Sequence, residues 1–286
     1  MDKKVVAGVG IGSVIVLFLG GKAVASHIAA KQVDKAIADV AEYVEIDYRK
    51  VDQSLIGRGT TVKGVVITPV GSSDPIKVDE VVLYDFDRKN DIPTRLDFAL
   101  KGISLDLATL NENGANLTEL GYEGDLSGDF ATEYEYEADE QTIRLKKIEL
   151  GAEDVGTFEM NLDLANVTLD DDAIANFPFS LLGAAFQNGK ITYDDDSFFE
   201  RIIETGAAAE GITVDEAKQS LIASLEEGTG DDALPAEFVA EMKDFINDPD
   251  SFSLTFAPDE PVPFVNLTQL SSPEDFIELL NVRFES

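Results

Sequence analysis

Apolar residues recur along this chain with three rhythms, and each predicts a different kind of element. Residues 5–21, VVAGVGIGSVIVLFLGG, are uncharged throughout. Between Ser26 and Tyr43 the apolar positions Ile28, Ala29, Val33, Ile37, Val40 and Ala41 fall at helical spacing. Together these segments predict one helix running to about residue 42. From residue 44 the period drops to two, with Val44, Ile46 and Tyr48 alternating with polar residues. That rhythm predicts strands at Thr61–Val70, Ile76–Phe86 and Thr94–Leu107, separated by segments of Gly, Pro, Ser, Asn and Asp. In the last of these, Leu96, Phe98 and Leu100 alternate, and then the phase slips at Gly102 to Ile103, Leu105 and Leu107. A glycine at a phase slip predicts a bulge or bend.

Residues 108–121 read as a short helix or loop. Strands then resume. Phe130, Thr132, Tyr134 and Tyr136 alternate with Glu133, Glu135 and Glu137, which predicts a half-buried strand with a carboxylate row on its wet face. Ile143–Leu150 is the next strand, and Phe158, Met160, Leu162 and Leu164 alternate in another. After Asp170–Asp172 the rhythm becomes helical. Ser197 to Glu200 and Thr213 to Glu216 are capping-box patterns. Pro235 suits a first helical position ahead of Phe238, Val239, Met242, Phe245 and Ile246. Phe252, Leu254 and Phe256 form a return strand, and Ser272-Pro273 opens a last helix. The expected fold class is α+β: an N-terminal single transmembrane helix, a mostly antiparallel bent β-sheet and a C-terminal helical subdomain. The expected domains are a membrane anchor and extended helix over 1–43, an antiparallel β-rich domain over 44–170, and a helical subdomain with a return strand over 171–286.

The uncharged run is 17 residues long, at the short end of what spans a bilayer. Lys22 can snorkel to the interface and add length. The anchor residues include Val5, Gly8, Gly12, Ile15, Leu17, Phe18 and Leu19, which contact membrane lipid. Lys3 and Lys4 ahead of the run argue for a cytoplasmic N-terminus and a periplasmic bulk. A cleaved signal peptide is the rival, because Ala23-Val24-Ala25 before Ser26 fits a small-residue cleavage site. Gly8 and Gly12 form a small-xxx-small pair, the spacing by which two membrane helices pack closely, and so mark a candidate route to a homo-oligomer.

Charge changes the picture. The formal net charge is −34. Residues 1–101 carry 14 basic and 14 acidic side chains, whereas residues 102–286 carry 8 and 42. A basic face for nucleic acid is therefore missing, and nucleic acid is excluded as an expected partner. Adaptation to a saline medium explains such acidity, and so does a cationic partner or bound divalent ions. There is no Cys, which removes disulfides, thiol catalysis and thiolate metal sites.

Candidate chemistry is sparse. Asp170 and Asp172, with Asp194 and Asp196, lie in the densest acidic runs, but neither run has calcium-loop spacing, and Asp at such positions also caps helices. No metal and no cofactor is expected. His27 is the single histidine, so a His-based triad has no support, and there is no G-x-S-x-G elbow. The chain is expected not to be an enzyme. Phe177, Phe179, Leu181, Leu182 and Phe186 form the most apolar stretch of the distal part. They belong either to the core or to a candidate hydrophobic groove for an acyl chain or partner segment.

A short basic tail, a Gly-rich uncharged run, a polar helix around Lys31–Tyr43, Ile46-Asp47-Tyr48-Arg49-Lys50-Val51, the turn Ser54–Gly59 and a strand ending Val66-Ile67-Thr68-Pro69 follow one another here. This order resembles the YdgA-type bacterial envelope proteins of unknown function and, more loosely, AsmA-type proteins, over about residues 1–110. The resemblance implies anchoring in the bacterial inner (cytoplasmic) membrane and a curved sheet that handles lipid or assists envelope assembly. It carries over no catalytic residue. The expected function is a non-enzymatic, single-pass scaffold or assembly partner for other envelope membrane proteins. The alternative is a lipid-binding or lipid-transfer module with a hydrophobic groove.

Overall fold

The computed structural model describes residues 44–53, 59–71, 75–87, 89–90, 93–107, 117–169, 183–227, 234–270 and 272–286, with Asp34, Ile37, Ala38 and Ala41. The anchor residues Val5 to Leu19 lie outside the described residues, as do residue 170, Asp172, Phe177, Phe179, Leu181 and Leu182. Among the described residues no helix is long and apolar enough to cross a membrane. The fold is a mostly antiparallel sheet with a few helices. The chain divides into two compact units, and the division falls inside one strand, between Glu133 and Tyr134.

The first unit holds β1 (Val44–Asp47), β2 (Lys50–Gln53), β3 (Thr60–Pro69), β4 (Ile76–Phe86), β5 (Arg95–Asp106) and the first part of β6 (Asp125–Glu137). Its strand order is β1-β3-β4-β5-β6, with β2 paired to the other end of β3. β4 turns back onto β3 and β5 onto β4 through short polar segments, whereas residues 107–124 separate β5 from β6. Val65 opposite Val78 and Val78 opposite Ile103 carry the core across three strands, and all three are buried. Phe98, Ala99 and Leu100 are buried in succession, so β5 is covered on both faces there. Gly102 has φ +62, a left-handed conformation that shifts which face the following side chains occupy. A Cβ built on Gly102 would stand 2.6 Å from Asp79 Oδ2, so this position takes only glycine without a shift. Its N–H donates to Asp129 Oδ1 at 2.8 Å.

The second unit holds the rest of β6, then β7 (Thr142–Ala152), β8 (Gly156–Ala165) and β9 (Ala185–Asp195). Helices α1 (Phe198–Glu210), α2 (Val214–Glu227) and α3 (Ala236–Asn247) follow. Then come β10 (Ser251–Phe256), β11 (Val262–Pro263), α4 (Phe264–Leu267), α5 (Pro273–Leu280) and β12 (Val282–Glu285). The strand order is β6-β7-β8-β9-β10-β12, and β11 pairs with the start of β9.

Register sorts this sheet into two faces. Leu150, Phe158, Tyr193 and Phe252 are cross-strand neighbours in one row, and Ile148, Met160, Ile191, Leu254 and Phe284 in the next. One face is therefore apolar. The opposite face carries Glu159, Thr192, Ser253 and Glu285 in one row, and Asn161, Lys190, Thr255 and Arg283 in another. This is the one-sided antiparallel sheet of the period-two rhythm. Helices α1 and α3 pack on the apolar face through aromatic rings. Phe199 and Phe245 lie 4.8 Å apart, Phe245 meets Phe252 edge-on at 5.1 Å, and Phe238 meets Phe284 at 5.2 Å. Leu164, Val167, Ala184, Phe186, Val262 and Leu280 form a second buried cluster, against which Phe264 and Leu267 of α4 and Leu279 of α5 pack.

Candidate functional site

The second unit offers two surfaces with chemistry. The first is the part of its apolar face formed by β7 and β8. The rings of α3 meet β10 and β12, the Phe199 ring of α1 meets α3, and the α4–α5 cluster reaches Ile143 and Leu162 at one end of β7 and β8. At the other end Leu150 is 54% exposed, and Leu145, Ile148, Phe158 and Met160 are half-buried. The reverse side of β6 and β7 is ionic, with Lys146–Glu135 at 3.0 Å, Arg144–Glu137 at 3.6 Å and Lys147–Glu149 at 2.6 Å.

The second is a cleft of about 790 Å³ between the β10–β11 loop and helices α4 and α5. Its floor is apolar: Val262 is buried, and Leu270 and Leu279 are half-buried. Exposed carboxylates of Asp259, Glu260, Asp275 and Glu278 stand around it. The loop is pinned at both ends. Ala257 N–H donates to Leu280 O at 2.9 Å, Asn281 Nδ2 donates to Ala257 O at 3.0 Å, and Phe264 N–H donates to Ala184 O at 3.0 Å.

The sequence-predicted residues fall elsewhere. Phe186 is 8% exposed and meets Phe256 edge-on at 6.0 Å within the buried cluster. Asp194 lies on β9 opposite Thr157 and Ser251, and the Asp196 N–H donates to Val155 O. Among the described residues no group of three His, Asp or Glu side chains is arranged to hold a metal ion. Between Asp194 and Asp196, Asp195 has a defined task. Its Oδ1 accepts from Tyr193 Oη at 2.6 Å and from the Phe199 N–H at 3.0 Å, and so it caps α1.

Sequence reasoning passed over the cleft. The signal was present in Pro258-Asp-Glu-Pro-Val-Pro263, where three prolines within six residues mark a stiff connection.

A family model described as an uncharacterized protein matches residues 149–286. No curated protein matches the chain.

Proposed function

We propose that this chain is a non-enzymatic, membrane-anchored envelope protein that acts as a scaffold or assembly partner for other membrane proteins. The observation behind this reading is the incompletely covered apolar face of β7 and β8. Leu150 at 54% exposure, rimmed by half-buried Ile148 and Phe158 and backed by an ionic face, has the make-up of a protein-contact patch. The uncharged run over residues 5–21 supplies the anchor in this reading, and the resemblance to YdgA-type and AsmA-type envelope proteins supports the bacterial inner membrane as its place. The family description adds no activity.

Affinity purification of the full chain in mild detergent tests the proposal. A protein partner at fixed stoichiometry is expected with the wild type. Leu150→Glu should lose it while shifting stability by no more than about 0.5 kcal/mol, because the side chain is largely exposed. Recovery of the chain alone overturns the reading. Bound lipid in place of a protein, detected by mass spectrometry, transfers it to the lipid-binding alternative.

A further inference from the structure

The cleft beside α5 has a lining of unusual hydrogen-bonding character. Acidic side chains alone would not single it out, since residues 102–286 contain 42 of them. What does is the scarcity of donors beside so many acceptors. Pro258, Pro261 and Pro263 have no N–H. Among the described residues no Lys, Arg, His, Ser, Thr or Tyr lines the cleft. Two side-chain amides line it: that of Asn281 is already engaged with Ala257 O, and Asn266 supplies the other. The rim therefore offers carboxylates as acceptors, above an apolar floor of Val262, Leu270 and Leu279. Among the described residues no ion pair involves Asp259, Glu260, Asp275 or Glu278.

We propose that this cleft is a docking site for a basic, extended peptide segment of a partner protein. Charge complementarity selects the occupant: ammonium or guanidinium heads donate to the rim carboxylates. The floor selects a peptide over a bare cation, because the methylene stems of Lys and Arg lie along apolar surface while their heads stay at the rim. The loop pinned at Ala257 and Phe264 is stiffened by its prolines, so little ordering opposes binding. This deepens the assembly reading above by naming the chemistry of one partner segment, and it rests on that reading only in taking the partner to be a protein.

The test uses the full chain and a short fluorescein-labelled peptide of alternating Lys and Ala, followed by fluorescence anisotropy at ~150 mM salt. The triple variant Asp259→Asn, Glu260→Gln, Glu278→Gln is compared with a charge-matched control, Glu140→Gln, Glu210→Gln, Glu237→Gln, in the same unit. We expect the first triple to weaken binding about tenfold, or about 1.4 kcal/mol, and the control to leave it within about twofold. Equal losses in the two triples would reduce the effect to diffuse attraction by a chain of charge −34, and the proposal falls. It falls as well if the peptide does not bind, or if calcium ion binds at this rim and the peptide does not. In each case partner recovery through Leu150 is measured separately and can still succeed, so the two readings fail independently.

Discussion

Asp87 sits at the end of β4, is 7% exposed, and stays ionised. Burial raises the pKa of a carboxyl group, but here it is outweighed. The carboxylate accepts from Lys89 N–H at 2.9 Å, Asn90 Nδ2 at 2.6 Å, and both N–H and Oγ1 of Thr94 at 3.1 and 2.8 Å. These bonds hold its pKa well below the usual carboxylate range. A group whose folded pKa is depressed adds stability above its unfolded pKa of about 3.9 and loses it as pH falls toward the folded value. Asp87→Ala should therefore destabilise the chain by about 1–3 kcal/mol at neutral pH. The gap between variant and wild type should narrow as pH drops below about 4. Urea unfolding at a series of pH values measures this, and a gap that widens in acid would contradict the account. One buried Asp among 56 acidic residues gives no signal in sequence, because its partners, two backbone N–H groups and the side chains of Asn90 and Thr94, are brought together only by the turn. Gly102 is the opposite case: the slip in apolar phase predicts a bulge or bend, and the structure puts a left-handed backbone there with the β4 register unshifted, so the cause is local.

At the scale of elements, strands with strong alternation were legible, and β3 to β8 and β10 lie within a few residues of where their rhythm puts them. β9 was not read. Its Phe186-Gln-Asn-Gly-Lys190 carries an Asn-Gly pair, ordinarily a hairpin turn, yet it continues as a central strand between β8 and β10, with only a one-residue register shift at Gln187. Pairing on both sides overrides the local preference, and a Cβ on Gly189 would stand only 3.0 Å from Asn161 O. β12 was missed because four residues after a helix are too few to show a period. The two capping boxes diverged. Thr213 and Glu216 exchange bonds as expected, with the Glu216 N–H donating to Thr213 Oγ1 at 3.2 Å and the Thr213 N–H to Glu216 Oε2 at 2.8 Å. The Thr213 N–H and the Thr213 hydroxyl, both donating to Oε2, lower the Glu216 pKa. Ser197 makes no cap bond; its Oγ donates to Asp154 O at 2.5 Å, and Asp195 caps α1 instead. Asp195→Ala should cost about 1–2 kcal/mol through the lost cap, whereas adding Ser197→Gly to a capped helix should not mimic it at Phe199. Hydrogen exchange at the Phe199 amide discriminates the two. Faster exchange in the Ser197 variant than in the Asp195 variant would reverse the assignment.

At the scale of the molecule, the asymmetry of charge between residues 1–101 and 102–286 was legible directly, because it is composition. The one-sidedness of the second unit was half legible: alternation named an apolar face, but coverage of that face depends on where α1 and α3 land, which is a tertiary outcome. The cleft was legible only as a stiff proline-rich connection, since its walls join a loop to a helix through contacts at Ala257 and Asn281.

The strand order carries a consequence for how the chain folds. From β3 to β8 each strand lies beside its neighbour in sequence; the connections β3–β4, β4–β5, β6–β7 and β7–β8 are short and demand little loop-closure entropy, and the one from β5 to β6 spans residues 107–124. β10 differs, for it must find β9 across the whole of α1, α2 and α3. Early pairing should therefore run through the hairpins, and the β9–β10 seam should zip late, as non-local contacts do. Pulse-labelled hydrogen exchange during refolding should show protection at Val78, Leu100 and Met160 before Leu254. Protection of Leu254 ahead of the hairpins would mean that the aromatic packing of Phe245 on Phe252, and not the order of strands, sets the sequence of events.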